Sequence, residues 1–173
     1  DGFLADLQKE LGAAAIETHG HLVLARAEAQ HVAWSANTWL EPMRIPISSI
    51  SDAAKKLRAI QRNWVLYSQA HHRRAALIAE NLPKVSAKPL TFGLTAPKAP
   101  LGSWTLLAPD LLLASPRCSN PFPNGEAQFV EDRTAPPSRA YLKLWELFTL
   151  LGERPRPGDF CIDLGSSPGG WTW

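Results

Sequence analysis

The chain closes on Asp163-Leu164-Gly165-Ser166-Ser167-Pro168-Gly169-Gly170-Trp171-Thr172-Trp173. The apolar run Phe160-Cys161-Ile162 leads into an acidic residue and then a loop of small residues. A buried parallel strand ends this way over a nucleotide-like ligand. Gly165, Gly169 and Gly170 let the backbone turn tightly and approach a ligand closely. The loop is not a P-loop, because the Lys and Ser/Thr that would hold phosphates and magnesium are absent. It is not a Gly-x-Gly-x-x-Gly fingerprint either. On spacing alone, a ligand loop and an ordinary Gly/Pro turn after a strand both remain open.

Other residues suit a polyanion. Lys55, Lys56, Arg58 and Arg62 fall in one helical stretch, and His71-His72-Arg73-Arg74 opens the next. They are either phosphate contacts for RNA or two solvated helix faces. Formal net charge is only +2, which is weak evidence for such a partner. His71 and His72 are adjacent rather than at ligand spacing, so no metal is expected, and the five histidines form no nucleophilic triad. Cys118 and Cys161 make neither a metal spacing nor a disulfide framework, which places the chain in a reduced, cytoplasmic setting. No run of about 18 apolar residues exists, so no membrane partner is expected. The seven Trp can stack on unpaired bases or fill a core.

The elements that must position these residues follow from periodicity. Leu4, Leu7 and Leu11 share one face of a helix over 3–11. Residues 21–27 read as a strand, and 31–39 as a strand or a short helix. Ser51 is a plausible N-cap for a helix over 52–62. There Ala53, Leu57, Ile60 and Trp64 form a core-facing stripe with the basic residues largely off it. A strand over 64–67, a helix over 73–82 ended by Pro83, and strands over 90–94 and 104–115 follow. The last is bent near Pro109-Asp110. Residues 1–115 therefore predict a small α+β module. Residues 116–135 read as a linker with a short hairpin or arm. Ser138 then caps a helix in which Tyr141, Leu144, Trp145 and Phe148 form one apolar face. Leu142, Leu147, Leu150 and Leu151 cover most of the rest, which predicts a buried helix. Gly152 can end it, and a strand over 160–164 carries the loop.

Two strings in this last segment carry a family resemblance. Asp163 to Trp171 resembles motif I of the FtsJ/RrmJ-type ribose 2′-O-methyltransferases. Pro136-Pro137-Ser138-Arg139-Ala140-Tyr141-Leu142-Lys143-Leu144 resembles their Ser-Arg-x-x-x-Lys-Leu helix, at a fitting distance upstream. Together they are most similar to the RlmM-like branch, the bacterial large-subunit (23S) rRNA cytidine 2′-O-methyltransferases, over about residues 119–173. The resemblance implies S-adenosylmethionine as cofactor, its methionine part cradled by the loop. The residues implied at the cofactor are Ser138, Ala140, Asp163, Gly165, Ser167, Pro168, Gly169, Gly170 and Trp171.

By the same resemblance Lys143 aligns with the first Lys of a Lys-Asp-Lys-Glu catalytic tetrad. A ribose 2′-hydroxyl is a poor nucleophile at neutral pH, and nearby ammonium groups can stabilise the developing alkoxide. A Lys desolvated beside another cation also becomes a competent base. The plainer reading is a surface Lys paired with Glu146 at i,i+3. Arg139 either helps hold substrate phosphate or pairs with Glu131 or Asp132. Asp163 either contacts the cofactor or accepts backbone N–H bonds within its turn, and Trp171 either supports the cofactor site or is core.

The resulting expectation is an α+β N-terminal module, ferredoxin-like or THUMP-like by resemblance, followed from 136 by the start of an α/β Rossmann-like methyltransferase domain cut short after its first strand. The expected activity of the whole protein is S-adenosylmethionine-dependent methyl transfer to an rRNA ribose 2′-oxygen, with the 173-residue chain inactive alone. The alternatives are a non-catalytic RNA-binding module, or a methyltransferase acting on a protein or small molecule. The Ser-Arg-x-x-x-Lys helix speaks against the second.

Overall fold

A computed structural model of the chain describes residues 2–26, 32–85 and 88–173. The chain divides into two compact units. One comprises Asp1–Ser86 and Ala99–Glu126, the other Ala87–Lys98 and Ala127–Trp173.

The first unit opens with α1 (Gly2–Leu11), a 3-10 turn (Gly12–Ala14) and an antiparallel hairpin of β1 (Ala15–His19) and β2 (Leu22–Ala25). Ala27 and His31, at the edges of the next two expected elements, lie outside the described residues. Residues 33–39 form neither the strand nor the helix expected there, only a single bridge from Trp39 to Cys118. Then come β3 (Met43–Pro46), α2 (Ile50–Ile60), β4 (Trp64–Leu66), α3 (His72–Glu80), β5 (Gly102–Ala108) and β6 (Leu111–Ser115). The four strands form one sheet in the order β3-β6-β5-β4. β6 is antiparallel to both neighbours, and β4 is parallel to β5. This β-α-β-α-β-β sequence of elements is not the β-α-β-β-α-β order of a ferredoxin-like unit.

Local chemistry explains where these elements depart from expectation. The N-cap of α2 is Ser49, not Ser51. Ser49 is extended, at φ −156°, and its hydroxyl accepts the Asp52 N–H at 3.0 Å. The helix stops at Ile60 because Gln61 is extended. Its N–H and Trp64 Nε1 both donate to the Leu57 carbonyl, the indole at 2.9 Å. Ala53 and Leu57 are fully buried, but Ile60 falls past the stripe and is 41% exposed. The long strand expected over 104–115 is a hairpin with Pro109-Asp110 at its turn, where proline's fixed φ suits a turn better than a strand interior. Trp104, Leu106, Leu112 and Ala114 pack against Ala53, Leu57, Ala75 and Ile78 of the two helices. Ser103, Thr105, Leu113 and Ser115 are buried on the opposite face. A sheet covered on both faces reads as a near-continuous apolar run, which hides the turn.

The second unit differs more from expectation. Residues 90–94 form no strand, only a bridge from Leu90 to Phe129. α4 (Tyr141–Leu151) ends at Gly152, which is left-handed at φ 71° and donates to the Phe148 carbonyl at 2.9 Å. The helix is not buried: Tyr141 alone among its residues is, while Leu147, Leu150 and Leu151 are exposed. Its packing is aromatic. Trp145 stacks on Phe92 with centroids 4.5 Å apart and meets Phe129 and Tyr141 edge-on. The strand expected over 160–164 does not form, and Phe160 and Leu164 are 89% and 88% exposed. A buried parallel strand needs neighbours to pair its N–H and C=O groups. Every strand among the described residues belongs to the first unit. The expected hairpin within 116–135 is likewise absent, and the regular structure there is one 3-10 turn, Pro123–Gly125. No described helix is long and apolar enough to cross a membrane.

Candidate functional site

The two strings that resemble a methyltransferase are brought together at the N-terminus of α4. The Ala140 carbonyl is the joint. It accepts the Lys143 N–H at 3.1 Å and Trp171 Nε1 at 3.0 Å, so the indole of the loop is seated on the first turn of the helix. Gly170 completes the contact and is buried. A Cβ placed there would collide with the Ser138 hydroxyl and lie 3.0 Å from Ala140 Cβ. Glycine at 170 is therefore required by close approach to the 138–140 segment. Gly169, at φ 91°, lies against Pro137, and Trp173 packs on Tyr141 with centroids 5.2 Å apart. Ser138 Oγ accepts the Ala140 N–H at 3.4 Å. The residue flanking the helix is Ala140, so Ser138 steadies the approach to α4 rather than capping it directly.

Ser138, Ala140, Gly169, Gly170 and Trp171 thus form one cluster. Asp163, Gly165, Ser167 and Pro168 lie on the open part of the loop. Asp163 accepts the Thr172 hydroxyl at 3.0 Å, a bond that spans the loop. Gly165 has φ 81° with nothing within 4 Å of where a side chain would stand. The open segment is mostly exposed, with small residues at 165–167 and one carboxylate, Asp163. Lys143 itself is exposed on α4, not desolvated as the general-base form of its expected role requires.

Arg139 takes the ion-pair alternative, donating to Glu131 at 2.6 Å. Beside it, Asp132 accepts the Thr134 and Ala135 N–H groups and the Thr134 hydroxyl. Those bonds, the Thr134 amide first, hold its carboxyl below the usual range. The phenol of Tyr141 donates to the Asp132 carbonyl, tying this turn to α4.

The basic residues expected to meet RNA lie on α2 and α3, which pack against each other, and just beyond α2. Several are already engaged. Lys56 pairs with Asp52 at 2.9 Å and donates to the Pro46 carbonyl, and Arg58 donates to the Asn81 carbonyl at the end of α3. Arg74 is half-buried, while Lys55, Arg62 and Arg73 are exposed. Among the described residues no group of three or more His, Cys, Asp or Glu could hold a metal ion. The Ala140 carbonyl was not legible in sequence, since a backbone acceptor carries no residue signal. An aromatic cavity in the first unit was also missed, its one signal being two of the seven Trp at 34 and 39.

Comparison with known proteins finds relatives over part of the chain. A protein of Methylococcus capsulatus named ribosomal RNA large subunit methyltransferase M is 41% identical over 85 residues, 47% of this chain and 24% of that protein. A protein of the same name from Halorhodospira halophila is 47% identical over 55 residues, 30% of this chain and 16% of that protein. Over these segments the chain is similar to proteins of that name. The Laribacter hongkongensis relative of the same name adds 40% identity over 67 residues, 35% of this chain and 19% of its own. The matched segments thus span about a quarter or less of these relatives. No family model matches the chain, and no solved structure matches it.

Proposed function

We propose that the chain contributes the cofactor loop and a catalytic lysine to an S-adenosylmethionine-dependent methyltransferase acting on a ribose 2′-hydroxyl of large-subunit rRNA, a cytidine by resemblance. The observation that carries the reading is the seating of the Gly169-Gly170-Trp171 loop on the Ser138–Ala140 turn, with Ala140 accepting from both Trp171 and Lys143. Two strings that lie apart in sequence meet there, as one site requires. The relatives named for rRNA methylation support the substrate class.

In this reading Asp163, Gly165, Ser167, Pro168, Gly169 and Gly170 hold the cofactor, with Ser138, Ala140 and Trp171 fixing the loop. The cofactor supplies an activated methyl group. The protein's share is orientation, which makes the transfer effectively unimolecular, and electrostatic support of the attacking oxygen by the Lys143 ammonium. Residues 1–115 are proposed to position RNA, through Lys55, Lys56, Arg58, Arg62, Arg73 and Arg74. For Lys56 and Arg58 this requires exchanging present partners, which makes Lys55, Arg62 and Arg73 the stronger contacts. Arg139 would have to leave Glu131 to reach a phosphate.

The test is Lys143→Ala in the full-length protein, assayed by transfer of labelled methyl from S-adenosylmethionine to 23S rRNA. A loss of about a hundredfold or more, the ordinary range for removing one electrostatic stabiliser of the developing charge, is expected. Undiminished methylation by the variant would remove the catalytic assignment.

A further inference from the structure

The first unit contains a cavity of about 270 Å³ whose walls come from five places in the chain, one of them the β1–β2 hairpin at His21 and Leu22. Phe3 projects from α1, Trp34, Asn37 and Trp39 come from the segment before β3, Tyr67 follows β4, and Asn124 sits in the 3-10 turn. Phe3 and Trp34 are stacked, 5.3 Å between centroids and 19° between planes. Trp39 and Tyr67 meet edge-on at 6.5 Å. These walls are held in place. The Glu10 carboxylate accepts the Ala33 and Trp34 N–H groups at 2.8 and 3.2 Å, pinning that segment to α1. Asn124 has a left-handed backbone at φ 55°, which Asn tolerates better than most residues.

The polar lining is the amides of Asn37 and Asn124, the hydroxyls of Ser35 and Tyr67, and the imidazole of His21. Asn124 Nδ2 donates to the Leu66 carbonyl at 3.3 Å, which fixes the amide's orientation. Its Oδ1 is buried without a hydrogen-bond partner, and such a group calls for an explanation. No carboxylate, ammonium or guanidinium lines the cavity. The space therefore suits a neutral ring with a polar edge rather than a phosphate. Its volume lies below the ~300 Å³ at which pockets for drug-sized molecules begin, so one ring system fits better than a chain. Phe3 and Trp34 remain well exposed despite their stacking, which leaves ring surface for another flat group.

We propose that this cavity takes one unpaired nucleobase of a single-stranded RNA segment, stacked on the Phe3–Trp34 pair with its amino edge toward Asn124. The occupant rests on the reading of the protein as an RNA methyltransferase, while the cavity does not. Aromatic side chains bind unpaired bases in this way because every base has a π-face, whereas bases paired in a duplex are withheld.

The test uses the 173-residue chain and fluorescence anisotropy with a labelled single-stranded RNA, the same sequence as a duplex, and free nucleoside monophosphates as competitors. The single strand should bind more tightly than the duplex. Trp34→Ala should weaken it roughly five- to a hundredfold, the span of base–aromatic stacking, with the melting temperature unchanged. Phe3→Ala is the second variant, since its ring is also exposed and its loss spares the core. Binding unchanged in both variants overturns the proposal. So does equal affinity for the duplex, or failure of every monophosphate to compete even at high excess. The two readings separate cleanly. If Lys143-dependent methylation of rRNA stands and the aromatic variants bind normally, only the nucleobase pocket falls. If the pocket binds RNA and the full-length protein transfers no methyl group, only the enzymatic reading falls.

Discussion

At the level of single residues, the candidate site depends on one carbonyl and one missing side chain. Ala140 O receives both the helix amide of Lys143 and the indole of Trp171, and Gly170 lets the loop approach closely enough for that. Gly170→Ala should therefore lift the loop from the helix. Overpacking of this kind ordinarily costs about 1–3 kcal/mol. Limited proteolysis would show faster cleavage within 160–173, and unchanged cleavage would mean the loop is seated by other contacts. Lys143→Ala should behave oppositely. The residue is exposed, so its loss should change stability by no more than ~0.5 kcal/mol while removing methyl transfer in the full-length protein. A large drop in the urea midpoint would instead mark Lys143 as structural.

At the level of elements, α2 shows how a helix start is decided by a few polar groups. Ser49→Ala should cost about 1 kcal/mol in urea unfolding, whereas Ser51→Ala should cost little. Asp52 adds a pH dependence. The Ser48 N–H, first, and then Lys56 hold its carboxyl below the ordinary carboxylate value. Because the folded value is the lower one, the stabilisation is complete above about pH 4, near the unfolded value, and is lost as pH falls through the folded value. Acid unfolding followed by circular dichroism should be less steep in Asp52→Asn over that window. Both serines fit the N-cap preference, so residue type alone could not choose between them, and the choice rests on Ser49's extended backbone. The same limit applied elsewhere. Helix 3–11 was legible from apolar spacing, and helix 73–82 from the proline that ends it, each to within a residue or two. The 104–115 hairpin was not, because burial on both faces erases the alternation that marks a strand. In α4, composition suggested burial and the structure shows an exposed aliphatic surface, since composition says how apolar a helix is and not what covers it. The loop's chemistry was legible in its residue types, but the strand meant to carry it needs pairing partners that no local pattern supplies.

For the molecule as a whole, charge is spread thinly. With a formal net charge of +2, RNA affinity must come from local groups rather than a general field. Lys55, Arg62 and Arg73 are the exposed candidates in the first unit. If all three neutralise phosphates of a single strand, the logarithm of affinity should fall against the logarithm of salt with a slope of about −2. Arg62→Ala should make that slope shallower by roughly 0.7. A slope near zero would assign binding to stacking alone and leave the basic helices as solvated surfaces. The aromatic cavity lies in the same unit, so the salt slope and the Trp34 variant together divide the ionic share of binding from the stacking share.

The interleaving of the two units bears on how such proteins can be recombined. Residues 88–98 leave the first unit's chain and join the second, where Phe92 meets Trp145 and Leu90 meets Phe129. A single crossover at 126 between two relatives would carry Phe92 with one parent and Trp145 with the other. Only a two-segment exchange that moves 88–98 together with 127–173 keeps inherited partners paired, and chimaeras made that way should melt nearer to their parents.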